Sequence, residues 1–152
     1  MKTRVAVALG VVGLAAVLGC PGNGVGLDAN GNPLGSQAGC ADAVCFERDV
    51  QPIFTANCAL SGCHAGTTPQ QGQNLSDGLA YENIVNVPSH ERPGMMRVLP
   101  FQPDSSYLVH KIQGDQASVG GQGGQMPLGM TPLTQQQIDL IRAWIMAGAK
   151  NN

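Results

Sequence analysis

A chain of 152 residues with 43% hydrophobic but only 4% aromatic side chains has room for one domain with tails, and its core is thin for its length. A net charge of −2, with eight Lys and Arg in all, leaves no basic face and argues against nucleic acid as a partner.

Lys2 and Arg4 make a positive start, and Val5 to Leu18 is an apolar run. That run is shorter than the ~20 residues of a comfortable membrane span, so it reads as a secretion signal. It ends in Val17-Leu18-Gly19-Cys20, which resembles the bacterial lipobox, where the cysteine is lipidated and becomes the new N-terminus. On that reading residues 1–19 are a lipoprotein signal peptide and Cys20 carries the lipid. An ordinary signal peptide with an incidental cysteine is the alternative. Either way the mature chain lies outside the cytoplasm, in an oxidising compartment. Residues 20–39 are rich in Gly, Asn and Pro without apolar periodicity and read as a flexible tether, on the order of 25 Å long as a coil. The folded domain is expected over residues 40–152.

Phe46, Val50, Ile53 and Phe54 fall at i, i+4, i+7 and i+8, one face of a helix that Pro52 must shorten or bend. Leu79 to Val85 predicts a short helix anchored by Leu79, Ile84 and Val85. Tyr107 to Gln113 predicts another, capped by Asp104, Ser105 or Ser106 and ended by Gly114. Val119 to Gly129 is too rich in Gly and Gln for regular structure. The last helix is the clearest. Thr134 and Gln137 make a capping box, Leu133 and Ile138 a hydrophobic staple, and Ile138, Ile141, Trp144 and Ile145 an apolar stripe that Gly148 terminates. No strand alternation is present, so the fold class is all-α with much loop.

Chemistry concentrates at Cys58-x4-Cys63-His64. A c-type haem is bonded by two thiols through its vinyl groups and takes an imidazole under its iron, the logic of Cys-x-x-Cys-His. Here four residues separate the cysteines where two are commoner. Met126-Pro127, 62 residues beyond His64 in the Gly-rich segment, offers a thioether as the sixth ligand. Met95, Met96, Met130, His90 and His110 are rivals for that role. Two other readings use the same cysteines. Cys58 and Cys63 would close a small disulfide loop in an exported protein. Alternatively, Cys40, Cys45, Cys58 and Cys63 would form two thiol pairs for a structural zinc.

A first helix, a Cys-Cys-His segment, a Gly-rich Met-Pro loop and a last helix with a central Trp resemble the class I cytochrome c fold. The chain is similar to small bacterial cytochrome c domains through Asp49-Val50-Gln51-Pro52-Ile53-Phe54, Cys58 to His64, Ser106-Tyr107-Leu108, Met126-Pro127-Leu128 and Ile141-Arg142-Ala143-Trp144-Ile145 with Gly148-Ala149, over roughly Val44 to Ala149. The resemblance implies that the first and last helices cross, that Cys58 and Cys63 carry one haem c, that His64 is the proximal ligand and Met126 the distal one, and that Trp144 packs near the haem. Arg97 or Arg142 would pair a propionate. With Cys20 lipidated and Cys58 and Cys63 on haem, Cys40 and Cys45 remain for one disulfide. The expected role is electron carriage between redox partner proteins at a bacterial membrane, in the periplasm or on the surface. A non-redox, disulfide-stapled surface lipoprotein and a haem enzyme with an open distal site are the alternatives. No phosphate loop and no Ser with a neighbouring acid and base motif is present.

Overall fold

The computed structural model describes residues 44–152. The signal and tether readings, and with them Cys20 and Cys40, lie outside the described residues. Among the described residues the secondary structure is helical, and the only sheet-like features are three isolated bridges. None of these helices is long and apolar enough to cross a membrane.

A π-helical turn, Phe46–Val50, runs directly into α1, Gln51–Asn57. Pro52 sits in the first turn of α1. It has no N–H to give, and its ring crowds the carbonyl four residues back. The turn before it is correspondingly wide, with the Gln51 N–H bonded to the Phe46 carbonyl. The chain passes the proline this way and still buries Phe46, Val50, Ile53 and Phe54, the four residues whose spacing predicts the face.

Helix α2 is Ala80–Ile84, shorter than the sequence predicts. Its buried residues are Ala80 and Ile84, four apart on one face. Leu79, expected as an anchor, is instead 48% exposed. It precedes the first turn, where the Leu79 and Ala80 N–H groups both bond the Ser76 carbonyl, so Ala80 takes the inward place. Val85 lies past the helix end and is half-buried.

Helix α3, Tyr107–Gln113, has the predicted bounds and ends at Gly114, whose φ of +81° is the left-handed conformation that glycine adopts without steric cost. Its start departs from expectation. Ser106 occupies the cap position, but no side chain caps the helix. The Tyr107 and Leu108 N–H groups bond the Met96 and Arg97 carbonyls, on the returning arm of the loop after α2. The Ser106 hydroxyl is thereby released to accept from the Leu99 N–H at 2.9 Å and donate to the Gln102 carbonyl at 2.8 Å.

Helix α4, Gln135–Met146, has both halves of the capping box. The Gln137 N–H donates to Thr134 Oγ1 at 3.3 Å, and the Thr134 N–H donates to Gln137 Oε1 at 2.9 Å. The staple pair Leu133 and Ile138 and the stripe Ile141, Trp144 and Ile145 are all buried. Helix α4 packs on both the Phe46–Val50 turn and α3. Trp144 meets Phe46 with ring centroids 5.0 Å apart, a contact worth about 0.5–1.5 kcal/mol beyond the area it buries. Its indole N–H donates to the Lys150 carbonyl at 2.9 Å. Asn152 then accepts from the Phe46 and Glu47 N–H groups, which open the first helical turn and have no partner within it.

The capping box predicts that Thr134→Ala lowers the unfolding free energy by about 1 kcal/mol, whereas Thr134→Ser leaves it nearly intact. Urea titrations of the two variants decide it; coincident midpoints would show that the box contributes nothing.

Candidate functional site

The wide spacing between Cys58 and Cys63 is taken up by a turn of its own. The Cys63 N–H closes on the Leu60 carbonyl at 2.9 Å, with Gly62 at φ +81°. The His64 N–H then returns to the Cys58 carbonyl at 3.2 Å. Four intervening residues thus leave His64 bonded back to the start of the segment. Cys58 is buried and Cys63 exposed, and both are free thiols. They do not form the small disulfide loop that the spacing also allowed. Burial, together with the neighbouring Cys63, pushes the Cys58 thiol up to about 12.

Cys58, Cys63, His64 and Met126 all line one cavity of about 420 Å³, within the ~300–1,000 Å³ typical of small-molecule and cofactor sites. A smaller cavity of about 60 Å³ adjoins it and shares Cys58, His64, Gln71, Glu91 and Met126. His64 Nδ1 lies 3.2 Å from the Gln73 carbonyl, which fixes the ring and, by using Nδ1 as donor, leaves Nε2 of the neutral ring as the nitrogen with a free lone pair. Burial pushes the imidazole below its usual value, and the Gln73 and Gln70 carbonyls offset part of that. The neutral form that results is the one that binds metal.

Met126 reaches the cavity on a loop tied to the end of α3: its N–H donates to the Lys111 carbonyl at 2.8 Å, and the next bond, to Pro127, is cis. Of the rival ligands, Met130 stands at the rim of the larger cavity and is 47% exposed, while Met95 and Met96 line neither cavity. His90 is exposed and borders only the smaller one. His110 is unsuited. Both its ring nitrogens are engaged, Nδ1 with Asp115 at 2.9 Å and Nε2 with the Asp104 carbonyl at 3.1 Å, and it lines neither cavity. Trp144, which the resemblance sets near the haem, packs in the core and borders neither cavity.

The two arginines separate. Arg142 pairs with Asp104 at 2.6 Å away from the cavities. Arg97 is 5% exposed and lines the smaller cavity. Its guanidinium donates to the Asn83 and Gln71 carbonyls, each at 2.7 Å, and meets no carboxylate among the described residues. A buried cation paired only with neutral acceptors is a standing attraction for an anion. Gln71, held by that bond, has φ +55°.

Two lining residues, Glu91 and Lys111, are not singled out by the sequence, and Tyr107 is named there only within the Ser106-Tyr107-Leu108 motif. Glu91 and Lys111 form an ion pair of 2.7 Å with little exposure of either side chain, and Tyr107 joins them. Burial, then the Glu91 carboxylate, pushes the Tyr107 phenol above its usual value. The available signal was the four-residue spacing of Tyr107 and Lys111, which places two polar heads on one face of the helix.

Cys45 is disulfide-bonded. Neither Cys58 nor Cys63, both free, is its partner. The four-thiol zinc reading loses Cys45 as a thiolate for this reason. Among the described residues no three of His, Cys, Asp and Glu gather as a bare-metal cluster. The donors around the larger cavity are the His64 imidazole, the thioethers of Met126 and of the half-exposed Met130, and two free thiols, a set whose chemistry fits a covalently bound haem. No family model matches the chain, and no curated protein or solved structure matches it.

In chain produced without haem-attachment machinery, iodoacetamide at pH 8 should modify Cys63 well before Cys58, which holds roughly 10⁻⁴ of its thiol as thiolate at that pH. Mass mapping of quenched samples reads the order; equal rates would contradict the burial of Cys58.

Proposed function

We propose that this chain is an extracytoplasmic c-type cytochrome of the class I kind, carrying single electrons between redox partner proteins through one covalently attached haem. The observation that carries the reading is convergence. Met126 lies 62 residues from His64, yet both line one cavity with the two free thiols of the Cys58-x4-Cys63 segment. When bound, the haem supplies a one-electron couple at its iron.

The chain's own residues divide the remaining work. Cys58 and Cys63 would form the two thioether bonds. His64, oriented by the Gln73 carbonyl, would hold the iron through Nε2, and Met126 would hold it through its neutral, soft sulfur. His/Met ligation raises the reduction potential. It also leaves no open position for a substrate, which favours a carrier over a haem enzyme. Arg97, on the adjoining smaller cavity, presents a buried positive charge that would favour a propionate there. With Cys20 lipidated and residues 20–39 as a tether, the domain would stand off a bacterial membrane surface, in the periplasm or outside the cell. The Cys45 disulfide agrees with an oxidising compartment, and a Cys40–Cys45 link would close it.

Intact mass and the visible spectrum of protein exported with haem-attachment machinery test this. A mass gain of one haem, with c-type bands on reduction, is expected; a colourless protein of apo mass would end the proposal. In the red protein, Met126→Ala should change the ferric spectrum and lower the potential while the haem stays attached. An unchanged spectrum in that variant removes Met126 as the ligand.

A further inference from the structure

The Gly- and Gln-rich segment before Met126 has no regular structure, and neither haem attachment nor ligation explains its composition. Its contacts do. The backbone of Gln122 is held at both its N–H and its carbonyl by side chains of α3. Its N–H donates to the Tyr107 hydroxyl at 3.1 Å, and its carbonyl accepts from that hydroxyl at 3.0 Å and from Lys111 Nζ at 3.1 Å. Lys111 is held in turn by Glu91 at 2.7 Å. Gln116 Nε2 secures the Gly123 carbonyl at 2.9 Å, and Gln125 Nε2 reaches the Ile112 carbonyl at 3.1 Å.

The glycines are cut to this grip. A Cβ on Gly121 would stand 2.4 Å from the Tyr107 ring. One on Gly123 would stand 2.8 Å from Lys111 Nζ and 2.9 Å from the Glu91 carboxylate. Lys111 is 6% exposed, and its ammonium points at the loop rather than at solvent. A lysine is kept there against its desolvation cost only because Glu91 and the Gln122 carbonyl both meet it.

We propose that Tyr107, Lys111 and Glu91 are positioning residues for Met126: they clamp the Gln122 peptide and thereby fix the loop that brings the thioether to the cavity. The role rests on Met126 being the ligand, as proposed above, but the clamp itself does not. Two variants test it. Tyr107→Phe keeps the ring and removes the hydroxyl. Glu91→Gln combined with Lys111→Met removes both charges together, so neither is left buried alone.

Amide hydrogen exchange on the exported protein is read first, with α4 amides as the control for an intact fold. Exchange at Gln122 and Met126 should quicken about tenfold or more in both variants while α4 is unchanged. The far-red charge-transfer band of thioether-bound ferric haem is read second, and it should weaken or vanish with the haem still attached. Unchanged exchange at Gln122 overturns the clamp whether or not haem is present. Faster exchange with the band fully retained overturns the positioning role. A wild-type haem protein lacking that band overturns the assignment of Met126 and leaves the exchange result to decide the clamp.

Discussion

The contact between Trp144 and Phe46 is the one on which the rest of this architecture leans. It joins the last helix to the first helical turn, and Asn152 seals the same corner by accepting both N–H groups that the turn leaves open. With so few large side chains in the chain, the aromatic packing gathers on Phe46, whose ring also meets Phe54 and Tyr81. Helix α3 then packs on α4, and its far side is free to face inward. The hollow is thus a consequence of where the bulk is spent. Aromatic rings crowd that corner, and the cavities are bounded instead by α3 and loop residues, apolar and polar together.

How the backbone satisfies itself explains why α3 matters so much. Its first N–H groups are met by carbonyls of the loop after α2, and its last carbonyls by the Met126 N–H and the Gln125 amide. One seven-residue helix therefore organises the segments on either side of it in the chain. Seven residues would not hold together alone in water. The helix and the loops stabilise one another, and the cavity is bounded by that mutual arrangement.

Much of this was legible in the sequence wherever a periodic pattern or a local motif carried it. The buried face from Phe46 to Phe54, the bounds of α3 and the full start of α4 follow from spacing and capping chemistry within a few residues. Cys58, Cys63 and His64 share one local motif, but the addition of Met126 could be expected only from ligand chemistry and resemblance, because nothing local links residues 62 apart. What escaped was decided by distant partners. Leu79 turns outward because Ala80 takes the inward place, and Ser106 does not cap because backbone carbonyls from the loop arrive first. The Tyr107, Lys111 and Glu91 group was hidden because a lysine in a short helix reads as a solvent-facing charge until a loop is laid over it.

The turn between Cys58 and Cys63 changes what cysteine spacing measures. Counted along the chain the two thiols are five residues apart, but the Leu60–Cys63 hydrogen bond shunts the intervening residues into a side loop and the His64 N–H re-joins the Cys58 carbonyl. The relevant ruler is the fold of these seven residues rather than their number. A closure this local forms within tens of nanoseconds to microseconds, long before the rest of the domain can assemble. The segment thus takes its bent form from its own seven residues, and the room it finds for the extra residues is a property of the tight turn.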